Sequence, residues 1–112
     1  MTLPEIIEPA AIALTLTAGY DNRALANVDD HVVRMSVMTA DYHWHHHPDS
    51  DETFLVIEGR LGIDFDDGTI ELEEGQMATI PAGRVHRTRP LTARTVNLTF
   101  ERADAASVAV ER

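Results

Sequence analysis

The stretch His43-Trp44-His45-His46-His47-Pro48-Asp49-Ser50-Asp51-Glu52 decides how this chain is read. On an extended strand, residues i and i+2 project from the same face. His45 and His47 can therefore aim two imidazoles at one point. Pro48-Asp49-Ser50-Asp51 reads as a turn. Glu52 then opens the apolar run Phe54-Leu55-Val56-Ile57 and can return its carboxylate beside the two rings. A further histidine, His86, follows Pro81-Ala82-Gly83, a turn that re-aims the chain into a new strand.

Three neutral imidazoles and one carboxylate form a hard-to-borderline donor set. It suits a divalent transition metal: Fe, Mn, Ni, Co, Cu or Zn. Four protein ligands on a six-coordinate ion leave two positions for water, O₂ or a chelating ligand. The competing reading is a surface cluster, or a relic site that holds no metal. The chain has no cysteine, which excludes disulfides, thiolate nucleophiles, iron–sulfur ligation and cysteine zinc sites. It has no lysine, so Schiff-base chemistry is excluded as well.

Working outward, the sequence is a series of short strands. Val33, Met35 and Val37 alternate with Arg34 and Ser36. Leu61, Ile63 and Phe65 alternate with Gly62 and Asp64, and Asp66-Asp67-Gly68 signals a tight turn. Ile70 and Leu72 alternate with Glu71 and Glu73, and Glu74-Gly75 is another turn. Met77 to Ile80 reads as a strand, and Val96, Leu98 and Phe100 alternate with polar neighbours. Strands at this spacing predict an all-β sandwich or barrel. Glu5 to Ala13 has room for a helical turn, although Pro9 argues against a long helix. Ala18-Gly19-Tyr20-Asp21-Asn22 reads as a turn, and residues 103–112 as a short helix or frayed tail.

The two histidine segments resemble the paired signatures of the cupins. The first signature is His-x-His, four residues, Glu, six residues, Gly; His45, His47, Glu52 and Gly59 fit it. The second is Gly, five residues, Pro-x-Gly, two residues, His; Gly75, Pro81, Gly83 and His86 fit it. The resemblance runs from about Val33 to Phe100. It is nearest to small single-domain conserved-barrel cupins, often labelled mannose-6-phosphate isomerase-like. Two positions depart from the pattern: Thr39 stands where a Gly usually opens the first signature, and Pro90 where an Asn often closes the second. Pro90 cannot donate to a ladder, so the strand after His86 should end early or lie on an edge. The resemblance implies a jelly-roll β-barrel of two antiparallel sheets, with a metal inside held by three His and one Glu. It leaves the reaction open, because cupins include dioxygenases, isomerases, epimerases, decarboxylases, lyases, sensors and storage proteins.

Strand parity extends this reading. If Glu52 points inward, so do Phe54 and Val56. Met35, Phe54, Val56, Ile63 and Met77 are then the expected apolar wall of the cavity, and Thr88 and Asn97 are expected to orient the ligands. Leu55 and Ile57 point outward and must be covered, either by the N-terminal segment or by a second copy in a homodimer. His43 shares parity with His45 and is the one candidate general base; the plainer reading is a polar residue at the barrel mouth. His46 should face outward. Arg84, Arg87, Arg89 and Arg94 form a basic island, read as pairing with the acidic rim between Asp64 and Glu74. The alternative is that one of them grips a ligand carboxylate or phosphate. That rim, with Glu58, matches no EF-hand spacing and reads as solvated.

At 112 residues the chain has the length of one domain, divided here into an N-terminal arm (1–22), a barrel (23–102) and a C-terminal tail (103–112). Nineteen carboxylates against nine basic residues give a formal charge of −10, which repels phosphate backbones and argues against nucleic acid as a partner. No apolar run is long enough for a membrane helix, and the start carries no basic leader, so a cytoplasmic protein is expected. The expected function is metal-dependent chemistry on a small molecule: dioxygenation with iron, isomerase or lyase chemistry with Zn, Mn or Ni. A non-catalytic module binding a metal or small ligand is the alternative, and a structural dimer with a vestigial site the third reading.

Overall fold

The computed structural model describes residues 2–17 and 19–112. Among the described residues, a five-residue helix, α1 (Pro9–Ala13), is followed by ten strands. These are β1 (Tyr20–Val28), β2 (His31–Met38), β3 (His45–His46), β4 (Glu52–Glu58) and β5 (Leu61–Phe65). Then come β6 (Gly68–Leu72), β7 (Met77–Ile80), β8 (Arg87–Pro90), β9 (Thr95–Arg102) and β10 (Val108–Ala109). One sheet has the order β1-β2-β9-β4-β7. Opposite it, the three-stranded sheet β6-β5-β8 continues through a single bridge between His45 and His86 into the pair β3-β10. Every pairing is antiparallel. Two facing antiparallel layers with crossed connections make the jelly roll that the motifs imply. Among the described residues no helix is long and apolar enough to cross a membrane.

Turn chemistry sets where the strands stop. Gly59 ends β4 with φ at 79°, and a Cβ there would run into the Arg94 carbonyl and the Thr92 hydroxyl. Only glycine fits so close an approach at positive φ. Asp66-Asp67 is a two-residue hairpin loop, with Phe65 paired to Gly68 across it. β8 ends at Pro90 and lies at the edge of its sheet, as a residue without an N–H requires.

Two hydrophobic clusters hold the layers. Between the sheets lie Met38, Phe54, Val56, Leu61, Ile63, Leu72 and Ile80. On the outer face of the larger sheet, Met35, Val37 and Val96 pack under Ala13, with Ile12, Leu16, Ile57 and Leu98 alongside. The N-terminal segment thus covers Ile57, while Leu55 is half-buried. Arg94 fastens the segment: Nη1 donates to the Leu16 carbonyl at 2.9 Å, Nη2 to the Ala13 carbonyl at 2.7 Å, and Nε to Glu58 at 3.0 Å.

Two local expectations need correction. Tyr20–Asn22 belong to β1 and are not a turn, because their backbone pairs with Ser36–Met38; Ala18 lies outside the described residues. The tail is not a helix: Val108 and Ala109 pair with His46 and His45, which pins it across one end of the barrel. Trp44 helps, lying beneath the guanidinium groups of Arg87 and Arg112 at 5.3 and 4.8 Å. Pro9 stands at the start of α1, where its missing N–H costs nothing, so it permits this short helix rather than breaking it.

Candidate metal centre

His45 sits on β3, His86 bridges to it from just before β8, His47 follows β3, and Glu52 begins β4. All four are buried, His86 completely. One ligand atom from each lies within 4.8 Å of the others. The three imidazoles share a second feature. His45 Nδ1 faces the His43 carbonyl at 2.9 Å, His47 Nδ1 the Ala106 carbonyl at 3.0 Å, and His86 Nδ1 the Arg84 carbonyl at 2.8 Å. A carbonyl can only accept, so each Nδ1 carries a proton, and each Nε2 presents its lone pair whenever the ring is neutral. Outer hydrogen bonds of this kind orient metal-binding histidines.

The Nε2 atoms converge on Glu52. His47 Nε2 is 3.2 Å and His86 Nε2 3.5 Å from Glu52 Oε1. None of these three buried atoms has a hydrogen bond of acceptable geometry, although all lie close together. Buried polar atoms are ordinarily satisfied, so a converging set of unsatisfied ones has the donor arrangement of a cation site. The donor set fits the divalent transition metals named above.

Electrostatics without an ion follow from the same geometry. Burial drives the His45 pKa from 6.5 down to about 4. The Glu52 carboxylate beside His47 raises that ring from 6.5 to about 9 against its burial. Burial pushes Glu52 up, but His47 and His86 outweigh it and hold the carboxyl at about 2 instead of 4.5.

A cavity of about 430 Å³ opens beside the cluster, lined by His45, His47 and Glu52. Phe54 lines it, in the position that parity with Glu52 gives it, and Thr88 lines it as well. Val56 and Ile63 instead belong to the packed core, and Asn97 is buried among Ser36, Met38 and Thr95. Met35 does not reach the cavity, because it packs on the outer face under the N-terminal segment. Met77 pairs with Leu55 and shares its outward face; it is 60% exposed. His43 is also outside the cavity wall, because β3 is only two residues long and its alternation does not extend back to residue 43. The His43 side chain is exposed, and its carbonyl serves to orient His45. His46 is half-buried and contributes no atom to the four-residue cluster.

The basic island pairs with carboxylates: Arg84 with Asp67, Arg87 and Arg89 with Asp64, and Arg94 with Glu58. None of the four lines the cavity. The residues that do, and that the sequence reading passed over, include Glu101, Arg34, Tyr20 and Tyr42, with Ala103, Ala105 and Ser107 of the tail. Glu101 Oε2 is buried without a hydrogen-bond partner among the described residues, 3.9 Å from His47 Nε2. Burial and the neighbouring Glu52 charge raise its pKa above the usual carboxylate value. Parity could have found it, since it lies two residues beyond Thr99 on β9.

Known proteins place this arrangement. The Cupin_2 family model, a cupin domain, matches residues 28–99. The uncharacterized protein YdbB of Bacillus subtilis (strain 168) is 48% identical over 102 residues, covering 90% of this chain and 89% of that protein. Among solved structures, a cupin-2 domain containing protein from Shewanella frigidimarina superposes with a TM-score of 0.80 at 28% identity, over 87% of this chain and 94% of the other. The DMSP lyase DddQ from Ruegeria pomeroyi shares the fold, with a TM-score of 0.71 at 22% identity over 81% of this chain and 51% of its own. With its family model spanning most of the sequence and both signatures folded around one buried cluster, the chain belongs to the cupin family.

Proposed function

We propose that the protein is a metal-dependent cupin that acts on a small molecule, with His45, His47, Glu52 and His86 as the ligands of one divalent transition metal. The observation that carries this is the set of three histidines whose Nδ1–H groups are tied to backbone carbonyls while their Nε2 atoms converge on Glu52. When bound, the ion would polarise a ligand oxygen or, if it is iron, bind O₂. Lyase or isomerase chemistry is the reading we favour, because the cavity also offers a carboxyl group for proton transfer. Glu101 faces the cavity without a hydrogen-bond partner, close enough to take or give a proton at a ligand atom beside His47. DddQ, a lyase on the same fold, is compatible with this chemistry.

An open coordination position separates this function from a purely structural ion. Protein loaded with Mn(II) should strongly enhance water-proton relaxation, reporting rapidly exchanging coordinated water. A site that holds Mn(II) but gives no enhancement is closed, and the catalytic reading fails.

We also propose a homodimer through the outer face of the larger sheet. Met35, Leu98, Leu55 and Met77 form one row across it, and the N-terminal segment leaves Met77 exposed. Light scattering should give twice the chain mass for wild type and one chain mass for Leu55→Asp. A monomeric wild type refutes the dimer.

A further inference from the structure

Eight of the nine arginines form an ion pair with an aspartate or glutamate. Arg34 forms none among the described residues. In a chain with nineteen carboxylates that is an unusual omission. Arg34 lies on the inward face of β2, half-buried, and lines the same cavity as the metal cluster. Its Nε donates to Asn22 Oδ1 at 2.8 Å, and neither Nη group has a hydrogen-bond partner among the described residues. A guanidinium held by its Nε presents the remaining N–H donors as a fork, the geometry that matches a carboxylate or phosphate.

Register places this cation relative to the cluster. Arg34 pairs with Thr99 on β9, and Thr99 with Phe54 on β4, two residues beyond Glu52. Neighbouring strands are about 4.8 Å apart, so the backbone of Arg34 is roughly 10 Å from that of Phe54. Once the side chains project inward, a small molecule of a few heavy atoms spans from the cluster to Arg34. Arg34 shares the cavity wall with Glu101 and Tyr20. A divalent ion against the carboxylates of Glu52 and Glu101 leaves little net charge, and Arg34 then makes the chamber positive inside a strongly acidic protein. Such a chamber selects an anion.

We propose that Arg34 is the anion-binding residue of this cavity, and that the small molecule held at the metal centre carries an oxyanion, a carboxylate or phosphate, paired with its guanidinium. This rests on the metal-dependent reading above and names the substrate class for it. The specificity would come from Arg34 and not from the basic island, whose four guanidiniums are already paired.

The test is calorimetric titration of Mn(II)-loaded protein with succinate, with its monoamide succinamate, and with phosphoglycolate. Wild type should bind succinate at least about tenfold more tightly than succinamate, the scale of one charge-assisted pair. In Arg34→Gln that preference should shrink to about twofold or less, with Mn(II) content unchanged. Phosphoglycolate should weaken in the same variant; tighter binding of it than of succinate by wild type assigns the oxyanion as phosphate, and weaker binding assigns it as carboxylate. Arg23→Gln, which removes an arginine paired with Asp21 outside the cavity, should leave every affinity as in wild type. Equal succinate affinity in wild type and Arg34→Gln, both fully loaded, overturns the role of Arg34 and leaves the metal centre standing. Protein that takes up no Mn(II) refutes the metal centre instead. Arg34 is then judged on succinate binding to the metal-free proteins, where no difference between wild type and Arg34→Gln overturns it.

Discussion

Replacing Glu52 with glutamine in the metal-free protein isolates the electrostatics of the cluster. Glu52 is 7% exposed, with Oε1 at 3.2 Å from His47 Nε2 and 3.5 Å from His86 Nε2. Glutamine has the shape of a protonated carboxyl that cannot ionise. Burial opposes ionisation of Glu52, yet the histidines hold its pKa at about 2 rather than 4.5. At about 1.4 kcal/mol per pH unit, the ionised form contributes roughly 3 kcal/mol to the fold. His47 gives a similar figure from the other side, rising from 6.5 to about 9; it is the same interaction and counts once. The carboxylate's share is present above 4.5 and lost as pH falls through about 2. The imidazolium's share is complete below 6.5 and lost as pH rises through about 9. Both are therefore in place between 4.5 and 6.5. Urea denaturation with chelator present, near pH 5.5, should show Glu52→Gln less stable by about 3 kcal/mol. Most of that difference should be gone near pH 10. A variant within about 0.5 kcal/mol of wild type near pH 5.5 refutes the reasoning, because the loss expected from the linkage is several times larger.

Metal uptake near pH 7.5 should release about one proton per ion, drawn from His47 at about 9, whereas His45 at about 4 is already neutral. Calorimetry in buffers of different ionisation enthalpy measures it, and no release contradicts the assignment. Asp64→Ala should cost roughly 3 kcal/mol in urea denaturation at neutral pH, because it strands Arg87 and Arg89 beside a buried position; unchanged stability refutes it. Arg89, ahead of Thr69 and Arg87, holds the Asp64 carboxyl well below its usual 3.8, so its contribution is present above that value and lost as pH falls below it. Arg94→Met should release the N-terminal segment, which limited proteolysis would show as faster cleavage within residues 2–17, at a cost of roughly 2 kcal/mol. Unchanged cleavage would show that the apolar cover holds without the guanidinium.

The fold was legible because its signals are local. Glycine at Gly59, turn residues at Pro48–Asp51, Asp66–Gly68, Glu74-Gly75 and Pro81–Gly83, and the spacing of two histidine motifs all report on nearby backbone. Parity with Glu52 puts Phe54 on the cavity wall, and the structure has it there. Alternation does not settle the inner face of β2: Met35, expected on the cavity wall, packs on the outer face. In this barrel the inner face of β2 carries Val32, Arg34 and Ser36 around a polar cavity, and the apolar face is turned outward under α1. Alternation shows that a strand has two faces; only the tertiary partner decides which is inside. His43 is exposed, as the barrel-mouth reading expects; the general-base alternative rests on parity with His45, which two residues of strand cannot carry back to residue 43. The tail's role was hidden because Val108 and Ala109 gain their order from β3, far away in sequence. Arg34 escaped notice because its significance is the absence of a carboxylate partner, which no sequence window displays.

The most direct test of the account is the metal content of tag-free protein prepared without chelator at neutral pH, measured by elemental analysis alongside single alanine variants. The account predicts about one transition-metal ion per chain in wild type, lost in His47→Ala and His86→Ala and retained in His43→Ala and His46→Ala. Metal-free wild type, or metal that survives His86→Ala and disappears with His43 or His46, would contradict it.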